Sequence, residues 1–382
     1  MATFVKTIST VDSHTAGECT RLITSGLPPI QGRTLPEKLA YAASCLPWVP
    51  GLLMLEPRGH RDMFGAILVP PCDPGADVGL IFVDNQGFEP MCGHGVIGAV
   101  TCLLELGVFP MQEPVSALTL DTAAGLVRAW AAVEDSHVVS VTFENAPAFV
   151  WARDVALALP GDSQHCAGAS ITIDIAFGGN FFVLVDAAQL AGLPGGIGQG
   201  LAGMGSPLLP ENAHELAALG IRILQAANRQ LAVRHPDLPH IASIIDLRFY
   251  TTPGEPGADS RNVVVLGDHM VDRSPCGTGT CAELALRYAR GQLRIGQPWV
   301  VESIIGTRFT GLVAAETHVG AGDEARSAVI PHITGSAYIT GLHQFVLDPR
   351  DPFPQGFALG AGSGNLNTSP TPPEQLLNTG RL

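Results

Sequence analysis

Two stretches of the chain, EPMCGHGVIGAV at residues 89–100 and DRSPCGTGTCAEL at residues 272–284, follow one pattern. In each, a cysteine is followed by Gly-x-Gly and then by apolar residues at helical spacing. Buried strands are predicted upstream of both, at residues 78–84 and 262–268. The pattern therefore predicts two strand-to-helix junctions, each with a thiol at the start of its helix.

The repeat extends along the chain in both directions. Segments 16–23 and 178–185 match upstream of the two cysteines, and segments 124–130 and 310–316 match downstream. Gly107 and Gly291 lie at equal sequence separations from their cysteines, and both suit the C-terminus of a helix. Asp84 and Asp268 also lie at equal sequence separations from their cysteines. Matches in one order predict two copies of one α/β unit facing each other across a cleft, a usual place for a small-molecule site.

The remaining sequence predicts the outer elements and the domain limits. Helices are predicted at 35–44 and 212–231, whereas 192–207 is too rich in glycine for a regular element. We expect a first half at 1–165 carrying Cys92, a second half at 166–344 carrying Cys276, a segment at about 345–358 that packs back on the first half, and a flexible tail at 359–382.

Composition restricts the class of protein. The 382 residues are 46% hydrophobic and carry a net charge of −14 with no basic cluster, which argues against nucleic acid or anionic membrane as a partner. No signal peptide or membrane span is predicted, so we expect a cytoplasmic protein with reduced cysteines. A zinc site from Cys92, His94, Cys276 and Cys281 would lack the standard ligand spacing, so we expect no metal.

A cysteine at a helix N-terminus has specific chemistry. The first N–H groups of the helix lack intrahelical partners, and the helix dipole adds positive potential, so we expect a lowered thiol pKa. The same N–H groups can hold a carboxylate. Two such units facing one carbon predict proton removal from one face by a thiolate and proton delivery to the other by a thiol. That reaction inverts the carbon and requires no metal or pyridoxal cofactor.

Several residues and functions keep alternative interpretations. We expect Cys45, Cys72, Cys102, Cys166 and Cys281 to be core residues, and we leave the role of Cys19 open. His94 is either a structural histidine or a contact of ligand and thiol, and Asp272 is either a helix N-terminal charge or an acceptor for a substrate ammonium. A lyase with one thiol as base, a binding protein and a thiol hydrolase are the alternative functions.

Four motifs resemble the proline racemase family, which includes 4-hydroxyproline 2-epimerases and trans-3-hydroxyproline dehydratases. They are DSHTAGE (12–18), MCGHGVIG (91–98), FGGNFF (177–182) and DRSPCGTGT (272–280), within a likeness over roughly residues 5–355. The resemblance implies a diaminopimelate-epimerase-like α/β (α+β) fold. In that fold two pseudo-symmetric halves each wrap a curved, mostly antiparallel sheet around a central helix, with the active site between them.

The resemblance also implies residue roles. Cys92 and Cys276 would be the catalytic acid/base pair. The substrate carboxylate would be held by Gly93, His94, Gly277 and Thr278, and the ring nitrogen of an imino acid substrate would contact Asp272. It implies no cofactor, and a homodimer is the assembly we expect if the chain associates.

The motifs give conflicting signals about the member of the family. The dehydratases typically carry threonine in place of the second cysteine, so Cys276 favours inversion over dehydration. CGHG (92–95) resembles the epimerases, whereas GGNFF (178–182) and ITGLHQFVLDPRDPF (339–353) look more like proline racemases. We expect a 4-hydroxyproline 2-epimerase, with proline racemase and trans-3-hydroxy-L-proline dehydratase as alternatives. His240 or Asp246 would reach a ring hydroxyl, or either would be structural.

Overall fold

The structure, a computed structural model, describes residues 6–160, 169–193, 206–239, 241–267, 270–348 and 350–358. Its contacts divide the chain into two compact units, of which the first combines residues 1–142 with 336–382 and the second spans 143–335. Each unit has its own hydrophobic core. Within the described ranges, no helix has the length and apolar character needed to cross a membrane.

Strands dominate both units. In chain order they are β1 (Lys6–Thr15), β2 (Glu18–Ser25), β3 (Phe64–Val69), β4 (Val78–Val83), β5 (Phe88–Glu89), β6 (Val115–Thr122), β7 (Gly125–Glu134), β8 (His137–Glu144), β9 (Ala148–Ala158), β10 (Ser170–Phe177), β11 (Phe181–Asp186), β12 (Ile244–Thr251), β13 (Ser260–Leu266), β14 (Met270–Val271), β15 (Trp299–Glu302), β16 (Arg308–Val319), β17 (Arg326–Gly335) and β18 (Ala337–Leu347). The α-helices are α1 (Leu35–Cys45), α2 (Val49–Met54), α3 (Gly93–Glu105), α4 (Ala213–Gln230) and α5 (Gly277–Ala289). Short 3-10 helices occupy Ala187–Gly192, Pro210–Asn212 and Gly322–Glu324.

The first unit is a mixed sheet around one buried helix. β1 pairs antiparallel with β2 and β18, and β2 runs parallel to β3. β4 pairs antiparallel with β3 and β5 and parallel with β6, which is antiparallel to β7. Helix α3 packs against β1, β2, β3, β7 and β18, and every residue from Gly93 to Leu104 is buried. Its small and apolar residues suit this central position because no polar face has to reach solvent.

The second unit repeats this order of strands. β10 pairs antiparallel with β11 and β9, β11 runs parallel to β12, and β12 is antiparallel to β13. β13 pairs antiparallel with β14 and parallel with β15, and β16 is antiparallel to both β15 and β17. Helix α5 packs against β9, β10, β11, β16 and β17. The predicted α/β class and the duplicated unit with a central helix are therefore confirmed.

The helix limits follow the sequence signals closely. The predictions at 35–44 and 212–231 correspond to α1 and α4. Thr34 caps α1 by accepting a hydrogen bond from the Glu37 N–H at 3.3 Å, as N-cap threonines do. Gly107 and Gly291 end the two central helices with φ of +68° and +69°, the left-handed conformation that glycine adopts without strain.

The unit limits differ from the expected division after residue 165. β9 forms a ladder with β10, so the second unit begins at residue 143. β18 pairs with β1 along its length, and the contacts accordingly group residues 336–382 with the first unit. The β9–β10 ladder and the β1–β18 ladder thus each lie within one unit, and these pairings cannot be read from composition.

The segment after β18 contacts the first unit. Asp351 forms an ion pair with Arg58 at 2.8 Å, and the Phe357 N–H donates to the Glu56 carbonyl at 2.8 Å. The expected tail at 359–382, most of the glycine-rich segment 192–207, and Asp268 lie outside the described residues.

Candidate active site

In the first unit, Cys92 is the N-cap residue of α3 and has extended backbone at φ −144°. Its Sγ lies 3.4 Å from the His94 Nδ1 and 3.7 Å from Nε2. His94 is buried, its carbonyl accepts from the Thr15 hydroxyl at 2.9 Å, and its ring meets Phe64 edge-on at 4.8 Å. The fold thus holds an imidazole against the sulfur, where it can donate to a thiolate or accept from a thiol.

In the second unit, Cys276 is the N-cap residue of α5, with only 5% of its surface exposed. Its φ of +61° lies in the left-handed region, which non-glycine residues adopt only when their surroundings hold them there. The sulfur accepts from the Gly279 N–H at 3.4 Å and lies 3.6 Å from the Thr278 hydroxyl. The Cys276 N–H donates to the Ser274 hydroxyl at 3.1 Å. The sulfur therefore faces the first turn of the helix, as the sequence predicts.

The second glycine of each Cys-Gly-x-Gly motif keeps space beside the sulfur. A Cβ added at Gly95 would lie 3.2 Å from the Cys92 Sγ, and one added at Gly279 would lie 3.2 Å from the Cys276 Sγ. In both, a phenylalanine ring closes the other side, Phe82 at 3.0 Å in the first unit and Phe182 at 3.2 Å in the second. Any other residue would displace the sulfur or the ring, because these distances are tighter than ordinary contact.

The pKa of the Cys276 thiol is raised, contrary to the lowered pKa expected from its helix position. Burial is the largest cause, and the Asp272 carboxylate adds to it. Arg248 and the Gly279 N–H act in the opposite direction without reversing the shift. The helix N-terminus is thus outweighed by desolvation, which always disfavours the charged form of a thiol. A raised pKa favours the thiol form of Cys276 at neutral pH, which is the form that can donate a proton.

Two buried carboxylates flank Cys276. Asp272 is 2% exposed, and its Oδ1 accepts from the Ser274 N–H at 2.7 Å. Asp246 is also buried and accepts from the Asn180 side chain, within the FGGNFF motif, at 3.1 Å. Both carboxylates raise the pKa of Cys276, so both lie within electrostatic reach of the sulfur. The fold thus brings Asp272 and Asp246 together with Cys276.

The other predicted site residues occupy the first turns of the two helices. Gly93 and Gly277 begin α3 and α5, and His94 and Thr278 follow them. His240 lies outside the described residues. Within the part of the chain that the structure describes, no group of three or more His, Cys, Asp or Glu side chains could hold a metal ion.

An acidic pair precedes Cys92 in the chain. The Asp84 carboxylate accepts from the N–H groups of Gln86 and Gly87 at 2.7 and 2.9 Å. Glu89 follows on β5, where burial and then the charge of Asp84 raise its pKa to about 7. Burial also raises the pKa of Asp84. This pair gives the first unit a group that titrates near neutral pH.

Sequence reasoning missed a buried ion pair next to Cys276. Arg248 on β12 binds Glu283 on α5 at 2.7 Å, and both side chains are fully buried. A signal was present, because Arg248 and Asp246 are charged residues within the mostly apolar strand segment IIDLRFYT at 244–251, and Glu283 is the one charged residue of CAELAL at 281–286. Buried charges of this kind persist when they are paired.

Comparison with known proteins assigns these motifs to one family. The sequence profile described as Proline racemase matches residues 10–358. The chain is 42% identical to a proline racemase of Clostridioides difficile over 93% of this chain and 99% of that protein. It is 38% identical to a trans-3-hydroxy-L-proline dehydratase of Bacillus cereus over 93% and 99%. A hydroxyproline epimerase from Agrobacterium vitis, solved with bound trans-4-hydroxy-L-proline, has a TM-score of 0.80 at 36% identity, covering 93% of this chain and 96% of that chain.

Proposed function

Because the chain belongs to the proline racemase family, we propose that it is a cofactor-independent isomerase that inverts the α-carbon of a proline-type imino acid. One observation carries the proposal. Each unit has a cysteine at the N-terminus of its central helix. In each, the sulfur lies 3.2 Å from where a Cβ would stand on the second glycine of the Cys-Gly-x-Gly motif. A one-base lyase or a simple binding protein needs no such duplicated acid/base group.

In the proposed reaction, one sulfur accepts the Cα proton and the other donates a proton to the opposite face. The raised pKa of Cys276 supports its role as donor in the direction for which Cys92 is the base. In the reverse direction the roles exchange, and the two sulfurs titrate as a coupled pair. We assign the substrate carboxylate to Gly93, His94, Gly277 and Thr278, whose donors would stabilise the charge that develops on it.

Asp272 is proposed to hold the ring nitrogen. Its carboxylate is buried beside the thiol, where an unpaired negative charge is costly. A substrate ammonium would neutralise that charge and remove one of the causes that raise the pKa of Cys276. Substrate binding would therefore make it easier for Cys276 to ionise and to act as a base.

We propose trans-4-hydroxy-L-proline as the substrate, with L-proline as the first alternative. Asp246 supports a hydroxylated ring, since it is a buried carboxylate within electrostatic reach of the Cys276 sulfur and can accept from a ring hydroxyl that L-proline lacks. Dehydration of trans-3-hydroxy-L-proline is a second alternative. The cysteine at 276 argues against it, because elimination does not need a proton returned to the opposite face.

The test follows optical rotation and Cα deuterium incorporation in deuterated water with each of the three amino acids. Inversion with deuterium at Cα supports the two-thiol isomerase, and Cys92→Ser and Cys276→Ser should each abolish inversion. Cys45→Ser, at the end of α1, is the matched control and should retain activity. Formation of a cyclic imine from trans-3-hydroxy-L-proline without inversion of the others would identify a lyase. Binding without deuterium exchange would indicate a binding protein.

A further inference from the structure

Arg248 connects the buried core of the second unit to the backbone of Cys276. Its Nε and Nη2 donate to Glu283 Oε2 at 3.0 and 2.7 Å, and its Nη1 donates to the Pro275 carbonyl at 2.8 Å. The Thr280 hydroxyl donates to the same carbonyl at 3.1 Å. The peptide that leads into Cys276 is thus fixed by two donors, directly before the residue with φ +61°.

The same guanidinium borders the sulfur. A Cβ added at Gly279 would lie 3.3 Å from Arg248 Nη1 and 3.2 Å from Cys276 Sγ. The two groups therefore flank one small space in the first turn of α5. Consistent with this, three charged side chains act on the pKa of the Cys276 thiol, and Arg248 is the one that lowers it.

The charges around this sulfur can be named individually. Asp272 and Asp246 disfavour a thiolate at Cys276, and Arg248 favours it. Burial opposes the ionisation of Glu283, but Arg248 and Arg287 hold the pKa of Glu283 below its usual value. This carboxylate is therefore charged, and it offsets part of the positive charge of Arg248. Cys281, on the next turn of α5, remains a neutral thiol because burial and then Cys276 raise its pKa.

The first unit has small residues in the matching positions. In the aligned segments 16–23 and 178–185, Leu22 pairs with Ala66 on the parallel neighbour, and Leu184 pairs with Arg248. Ala99 lies seven residues after Cys92, as Glu283 lies after Cys276. At the positions that match Arg248 and Glu283 the first unit therefore has Ala66 and Ala99, and the group beside the Cys92 sulfur is the His94 imidazole.

We propose that Arg248 is a positioning residue for the second thiol: it fixes the Pro275–Cys276 peptide and supplies the permanent positive charge that lets Cys276 ionise during turnover. Its catalytic consequence rests on the proposed function. Its effect on the sulfur does not, because thiolate formation can be measured without substrate.

The test measures alkylation of Cys276 by iodoacetamide at pH 9, quantified by mass spectrometry of the Cys276 peptide in a Cys92→Ser background. Glu283→Gln leaves Arg248 with a neutral partner and should accelerate labelling about tenfold, because a larger fraction of the thiol is ionised. The double variant Arg248→Met/Glu283→Met removes both charges without leaving one buried alone, and it should slow labelling about tenfold. Arg248→Lys retains the positive charge, so its labelling rate should stay within about threefold of the wild-type rate.

The opposite signs separate electrostatics from loosened packing, which would accelerate labelling in every variant. Arg287→Met is the matched control, since Arg287 also binds Glu283 but makes no bond to Pro275, and it should change labelling less than about twofold. Equal directions in Glu283→Gln and the double variant, or no change in either, would overturn the proposal. If the labelling rates change as expected but the wild-type protein does not turn over any of the three amino acids, the result would instead contradict the proposed function.

Discussion

The His94 imidazole lies 3.4 Å from the Cys92 sulfur and is held there from two sides, by Thr15 at its carbonyl and by Phe64 at its ring. We expect His94→Phe to keep the buried ring but to lose the hydrogen bond to sulfur. The Cys92 thiolate would lose a stabilising donor, so kcat should fall by roughly tenfold to a hundredfold. Iodoacetamide labelling of the Cys92 peptide in a Cys276→Ser background should require higher pH. Unchanged labelling would show that His94 has only a packing role.

Gly95→Ala and Gly279→Ala should damage activity more than stability. Each new methyl group would meet a sulfur at 3.2 Å, so the sulfur has to move by a few tenths of an ångström. Small displacements of a proton-transfer group cost roughly tenfold in kcat, whereas alanine gains about 1 kcal/mol over glycine in a helix and offsets the crowding. Thermal unfolding and steady-state kinetics measure the two effects. Gly192→Ala, which faces open space, is the control.

Glu89 should make the free energy of unfolding depend on pH between about 4.5 and 7. Its pKa is about 7 in the folded state against 4.5 ordinarily, so over this range the folded state binds the proton that the unfolded state has released. Stability then falls as pH rises, by up to about 3 kcal/mol. Glu89→Gln should be more stable than wild type at pH 8 and should show a smaller slope in urea unfolding. The exposed Glu134→Gln should reproduce the wild-type slope.

Asp272→Asn should separate thiol ionisation from turnover. Removing the carboxylate removes one cause of the raised pKa of Cys276, so iodoacetamide labelling of the Cys276 peptide should accelerate at pH 9. Turnover should nevertheless fall by at least about a hundredfold, because the ring nitrogen loses its acceptor. Ser274→Ala is a useful comparison, since it removes the hydroxyl that accepts from the Cys276 N–H while retaining the Asp272 carboxylate. Slower labelling in Asp272→Asn would contradict the electrostatic role.

Local signals predicted the central features of the fold. Gly107 and Gly291 marked both helix ends because a left-handed C-terminal residue is a property of a few neighbouring residues. The unit limits could not be predicted in this way. The pairing of β9 with β10 forms only on folding, and no short sequence signal in either segment indicates it. Arg248 was missed for a similar reason: its meaning depends on Glu283 and Pro275, which are adjacent only after folding. The predicted lowering of the Cys276 pKa was also wrong, because the burial that raises this pKa depends on tertiary structure.

The placement of β18 has a consequence for synthesis on the ribosome. The second unit is one continuous stretch, residues 143–335, and its strands are all available once that stretch has emerged. In the first unit β1 can pair with β2 early, but it lacks its second neighbour, β18, until residues 337–347 are made. The half of the protein that begins the chain therefore finishes its sheet last, and its exposed β1 edge has to be kept from pairing with other nascent chains until the final strand arrives.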